Sequence, residues 1–313
     1  MSSFAFLSNN TFLKVAPGDD EQPFAVAGIA WDGCVTNRPG ARFGPRAIRE
    51  ASHMLCDGIH PLFDTTPDGQ LTDLGDLPLP NTSLEAMRAA MAPLLGPLLA
   101  QHHMAWLGGD HSITLPLLRA YKAHCGQPLA VIHFDAHCDT WTSHFGEASG
   151  HGTWVYEAIQ EGLVRPECFV QIGIRSSGQR EARNYVADQG GLIFDARSLR
   201  GQESPAQLGA MLQAVRERMA AHGHPPCYLS LDIDCLDPAF APGTGTPEPG
   251  GLSTNQLFSI LEVLTPELNF VGMACVEVSP PYDHAELTSY AAAQCVWTYL
   301  CGRLARPACP LLP

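Results

Sequence analysis

Short runs of consecutive apolar residues recur along the chain: Phe24 to Trp31, Met104 to Leu107, Leu129 to Phe134, Cys168 to Ile174, Gly191 to Phe194, Tyr228 to Ile233 and Phe270 to Val278. They do not alternate cleanly with polar residues, which predicts strands buried on both faces. Helical stretches with boundary signals stand between them. Ser204-Pro205-Ala206-Gln207 offers an N-cap, a proline for the first helical position and a capping-box Gln. Leu208, Met211, Leu212, Val215 and Met219 then fall on one helical face, and Gly223 is a stop. Thr82 with Glu85, and Ser253 with Gln256, predict two further capping boxes; Pro93 and Pro97 should kink or shorten the first of these helices. Strands alternating with helices, without repeats, predict an α/β fold with a mainly parallel sheet covered on both faces.

Residues 15–23 are polar and turn-rich, so residues 1–23 are expected to form an N-terminal arm and residues 24–313 a single domain. With 45% apolar residues the chain can bury a core, which excludes disorder as its main state. Only 16% of residues are charged, and 18 Lys plus Arg against 32 Asp plus Glu leave a formal charge of −14. That balance argues against nucleic acid or an anionic membrane as partner and suits a small cation or a metal. The eleven cysteines form no C-x-x-C pair, as expected of reduced, buried thiols in a cytoplasmic protein. Residues 1–14 carry no signal-peptide pattern and no run of 18 apolar residues occurs, so neither secretion nor membrane spanning is expected.

The chemistry gathers where the apolar runs end, the place where open α/β sheets collect their ligands. Gly108-Gly109-Asp110-His111-Ser112 follows one run and Asp135-Ala136-His137-Cys138-Asp139 another; Asp232-Ile233-Asp234 closes a third. If the chain stays extended, Asp135, His137 and Asp139 form one row and Asp232 with Asp234 a second, with Cys138 and Cys235 facing away. Any one strand-end Asp is an ordinary turn or helix cap. Several carboxylates crowded at the end of a buried sheet instead repel one another and lose hydration unless a cation is present. An all Asp/His set favours Mn²⁺ or Mg²⁺ over Zn²⁺. Six donors suit two ions about 3.5–4 Å apart, bridged by carboxylates and a hydroxide.

GGDHS at 108–112, DAHCD at 135–139 and SLDIDCLDP at 230–238 together resemble the ureohydrolase family of arginases and agmatinases. RPGARFGPRAIRE at 38–50 and PAFAPGTGTPEPGGL at 238–252 extend the resemblance over most of the chain. It implies a three-layer α/β/α fold and two Mn²⁺ per subunit. His111 and Asp139 would serve one ion, His137 and Asp234 the other, with Asp135 and Asp232 bridging. A metal-bridging hydroxide would attack the guanidinium carbon, and the intermediate would collapse to urea and an amine. His151 matches the family histidine that helps the amine leave, and Glu277 the carboxylate that grips the guanidinium. A homo-trimer or homo-hexamer is also implied. Read alone, a His between glycines is more often a turn residue, and a strand-end Glu a cap.

The stretch Trp141 to Gly150, WTSHFGEASG, departs from the arginase pattern and holds Glu147 with no Lys or Arg. An amine tail suits it better than a carboxylate, with Glu147 or His144 as its expected partner. The motifs look most like agmatinases, so the expected reaction converts agmatine to putrescine and urea. The alternative is 4-guanidinobutyrate or another guanidino acid. A non-catalytic regulator of the polyamine pathway would have lost metal ligands, and none is lost here. Asp237 to Gly251, with four Pro and four Gly, is expected to form a stiff wall of the pocket. Arg38, Arg42 and Arg46 are expected in ion pairs or subunit contacts, and a helix should start near Pro45.

Overall fold

A computed structural model describes residues 10–18, 21–143 and 145–305. In chain order these residues form β1 (Phe24–Ile29), α1 (Gly44–Ser52), β2 (Leu71–Asp76), α2 (Leu84–Gln101), β3 (His103–Gly108), α3 (Thr114–Cys125), β4 (Leu129–Phe134) and α4 (Trp154–Gln160). There follow β5 (Val164–Ile172), α5 (Arg180–Asp188), β6 (Leu192–Phe194), α6 (Gly209–Ala221), β7 (Cys227–Asp232), α7 (Thr254–Glu267), β8 (Phe270–Val276) and α8 (Leu287–Ala305). The eight strands make one sheet in the order β2-β1-β3-β8-β7-β4-β5-β6, every neighbouring pair parallel.

The continuous apolar runs are explained by cover on both sides of that sheet. Along β4, Ala130, Ile132 and Phe134 enter one core cluster, while Leu129 and Val131 enter the other. The first cluster is completed by α1, α6, α7 and α8 through residues such as Ile48, Met211, Leu257 and Val296. The second is completed by α2, α3, α4 and α5 through Met87, Leu118, Trp154 and Val186. The architecture is the expected three-layer α/β/α, with a sheet that is wholly parallel.

Several local expectations are corrected. The strand β2 has no apolar run to announce it; its central Asp73 is buried because the guanidinium of Arg49 donates to it at 2.8 Å. Helix α2 is neither capped by Thr82 nor shortened by its prolines. Ser83 caps it by accepting from the Ala86 N–H at 3.1 Å. Pro93 and Pro97 lie on its exposed face, opposite the buried stripe Met87, Met91, Leu95 and Leu99, where water can serve the freed carbonyls. Ser204 and Gln207 do bond reciprocally, but residues 205–208 form turns and regular helix begins only at Gly209. Ser253 and Gln256 form the full capping box.

Of residues 1–23, the described Phe12 and Val15 belong to the core, and the Phe12 N–H donates to Asp73 at 2.7 Å. Arg42 pairs with the buried Asp32, Arg46 with Glu50 at 2.9 Å, and Arg38 lies 5.3 Å above the Tyr282 ring. The described cysteines are all free thiols, most of them buried; Cys309 lies outside the described residues. Among the described residues no helix is long and apolar enough to cross a membrane.

Candidate metal centre

Strands β3, β8, β7 and β4 are consecutive in the sheet, so their carboxyl ends form one row. His111 leaves β3 in a short 3₁₀ turn that Asp110 caps by accepting from the Ser112 N–H at 3.0 Å. Asp232 ends β7 and accepts from the Asp234 N–H at 2.8 Å, curling Ile233–Cys235 into a similar turn. Gly109 is indispensable to the first corner: a Cβ there would stand 1.8 Å from the Trp31 carbonyl oxygen. The motifs are therefore turned rather than extended. Asp139, with φ of 55°, adopts the left-handed conformation that is uncommon outside glycine. These turns, and not a two-residue alternation, bring the donors together.

They converge closely. His111 Nδ1 stands 3.1 Å from an oxygen of Asp135, and 3.2 Å from oxygens of Asp139 and Asp232. His137 Nδ1 lies 3.0 Å from Asp234 and 3.3 Å from Asp135. All six residues expected as metal ligands are thus gathered, with Asp135 facing both histidines. Cys138 and Cys235 are buried and belong to neither group of potential metal donors found among the described residues.

The electrostatics fit cations. Burial, then the charges of Asp234 and Asp135, pushes Asp232 well above the usual carboxylate range; burial also raises Asp234. Burial would lower both histidines, but the surrounding carboxylates outweigh it and raise them. His111 Nδ1 is buried and makes no hydrogen bond, although it faces three carboxylates. A lone pair and carboxylate oxygens aimed at one point are what a divalent metal requires, and the donor set fits a binuclear site.

The supporting residues were given no role by the sequence motifs, although Ser230 opens one of them. Ser230 Oγ is 2.8 Å from His111 Nε2, leaving Nδ1 to face the carboxylates. His133 Nε2 lies 2.8 Å from Asp135 Oδ2, and Trp154 Nε1 donates to Asp139 Oδ2 at 2.7 Å. Gln171 Nε2 donates to the Cys138 carbonyl at 2.8 Å and holds that turn. In sequence, His133, Trp154 and Gln171 are simply members of strands or of a helix; the one available signal was a polar residue inside an otherwise apolar run.

Glu277 and His151, 126 residues apart, meet beside the cluster. Glu277 follows β8 with φ of 63°, and Oε1 accepts from the His111 N–H at 2.9 Å while standing 3.0 Å from His151 Nδ1. Its Oε2 is buried without a hydrogen-bond partner. Burial would lower His151, but the Glu277 carboxylate reverses this and raises it to about 9. A cavity of about 610 Å³ opens over His111, His137, Asp139 and His151, with Thr246 and Glu248 of the Pro/Gly-rich loop as one wall. Arg175 pins that wall by donating to the carbonyls of Gly173, Asp234, Cys235, Leu236 and Glu248. Glu147 is exposed and does not line the cavity, and His144 lies outside the described residues.

A family model described as the arginase family matches residues 22–302. An agmatinase of Chromobacterium violaceum is 40% identical over 282 residues, 88% of this chain and 82% of the relative. A structure described as a hypothetical agmatinase from Burkholderia thailandensis superposes with a TM-score of 0.85 at 36% identity, covering 95% of this chain and 91% of that one. The proclavaminate amidino hydrolase of Streptomyces clavuligerus superposes equally well, with a TM-score of 0.85 at 35% identity over 97% of this chain and 99% of its own. The chain belongs to the arginase family. It is a ureohydrolase, agmatinase-like in sequence, and the family implies a guanidino substrate.

Proposed function

We propose that the enzyme hydrolyses agmatine to putrescine and urea with two Mn²⁺ held by His111, Asp135, His137, Asp139, Asp232 and Asp234. Two such ions, when bound, supply an ionised water at neutral pH and stabilise developing negative charge. His111 and Asp139 would hold one ion and His137 and Asp234 the other, with Asp135 and Asp232 available to both. The single observation that carries the site chemistry is the convergence of three carboxylates on the unbonded His111 Nδ1.

Glu277 Oε2 is the acceptor for the planar guanidinium, because it is a buried carboxylate oxygen with its hydrogen-bonding capacity unused. His151, held protonated by Glu277, gives its proton to the leaving amine nitrogen. The tail is read from the walls. Among the described residues that line the cavity none is Lys or Arg, and Glu248 is a carboxylate outside the six-residue cluster. Its carboxylate stands 3.9 Å from His137 Nε2 on the cavity lining, so it can receive an ammonium tail better than the exposed Glu147.

Urea release by the Mn²⁺-loaded enzyme from agmatine, 4-guanidinobutyrate and arginine tests this. Agmatine is expected to give the highest kcat/KM, and Glu248→Gln to raise its KM. A higher kcat/KM for 4-guanidinobutyrate would overturn the choice of substrate.

A further inference from the structure

None of the sequence motifs singles out Thr36, yet its Oγ1 lies 3.1 Å from His151 Nε2 on the cavity lining. With Nδ1 directed at Glu277, Nε2 is the second nitrogen of the ring and its partner decides how the imidazole is held. A hydroxyl carries one proton and two lone pairs, so it can donate to a neutral Nε2 and accept from a protonated one without moving. A methyl in its place could do neither.

The segment that carries Thr36 is fixed at several points. Asp110 accepts from the Cys34 N–H at 2.8 Å and donates its own N–H to the Trp31 carbonyl at 2.8 Å. Asp32 accepts from the Gly40 N–H at 2.8 Å, and Asn37 donates to the Gly245 carbonyl in the cavity wall at 3.0 Å. Thr36 is thereby tied to the same corner that sets His111, and its hydroxyl meets His151.

We propose that Thr36 is a positioning residue for the hydrolysis, holding the His151 ring against Glu277 through the hydrogen bond between its hydroxyl and Nε2. This rests on the part given above to His151. Thr36→Val keeps the shape and removes the hydroxyl. On the Mn²⁺-loaded enzyme, with whichever guanidino substrate it turns over best, kcat is expected to fall about tenfold to hundredfold while KM changes less than about twofold. Thr36→Ser should retain kcat within about threefold, because it restores the donor and acceptor. In a His151→Asn background Thr36→Val should cost less than about twofold more, since the two residues act as one unit. Metal content and melting temperature, measured on each protein, should match the parent; a parallel fall in either overturns the positioning role in favour of a structural one. Unchanged kcat in Thr36→Val, no recovery in Thr36→Ser, or a full additional loss in the His151→Asn background would each overturn the proposal. If His151→Asn itself turns over at the parent rate, the role of His151 fails instead.

Discussion

Glu277 presents one carboxylate oxygen to two neighbours, the backbone N–H of His111 at 2.9 Å and Nδ1 of His151 at 3.0 Å, and leaves its other oxygen unpartnered. The metal-side turn and the histidine are thus braced against one group. Glu277→Gln keeps the shape, removes the charge and weakens the hold on both His151 and a guanidinium. Hydrogen bonds to charged groups contribute about 1.5–3 kcal/mol, so kcat/KM should fall roughly tenfold to a hundredfold or more. Metal analysis should return the parent stoichiometry, because Glu277 turns to the backbone N–H of His111 and to His151 rather than to the six-residue cluster.

His151 and Asp232 should separate chemistry from metal binding. His151→Asn is expected to lower turnover by about a hundredfold or more, the usual scale of a lost general acid, with the metal content intact. Asp232→Ala removes a carboxylate that faces His111 at 3.2 Å, and should lose metal and activity together. Metal addition should then raise the melting temperature of the parent but not of Asp232→Ala, since binding stabilises only a fold that binds.

Gly109→Ala should damage the centre from the backbone outward. The new Cβ would have to push away the Trp31 carbonyl, 1.8 Å from its ideal position, and with it the segment that Asp110 anchors. Overpacking of this kind costs about 1–3 kcal/mol or more, which a thermal melt of the metal-free protein would register as a lower midpoint.

Stability should also depend on His103. Burial, helped by the charge of Arg303, lowers this histidine to about 3 in the folded protein, where Nε2 lies 2.7 Å from the Tyr299 hydroxyl. The unfolded chain binds the proton near the ordinary histidine value of about 6.5, so stability falls as pH drops below that value and continues to fall towards about 3. The slope is at most about 1.4 kcal/mol per pH unit. Denaturant unfolding of the metal-free protein between pH 7 and pH 5 should show a steeper loss for the parent than for His103→Gln.

Much of this centre was legible in the sequence because its donors follow apolar runs that mark strand ends. His111, Asp135, His137, Asp139, Asp232 and Asp234 all meet where those runs predicted. The turned geometry was not legible, since an extended chain and a 3₁₀ corner place the same residues at the same sequence spacing. Ser230, His133 and Trp154 were missed because a polar group on a buried strand or helix reveals its purpose only through its partner. Thr36 was missed for a related reason: its partner lies 115 positions away. Strand β2 went unseen because Arg49, from another element, neutralises the Asp73 that breaks its apolar pattern.

The last strand in the chain, β8, lies in the middle of the sheet, between β3 and β7. It is the strand through which β2-β1-β3 and β7-β4-β5-β6 are joined into one sheet. His111 rides on one half, and the aspartates on the other. Strand β8, residues 270–276, is what sets residue 111 beside residues 135 and 232, and that same strand delivers Glu277 to the joint. Removing or loosening that one central strand would therefore separate the histidine-bearing half of the site from the aspartate-bearing half.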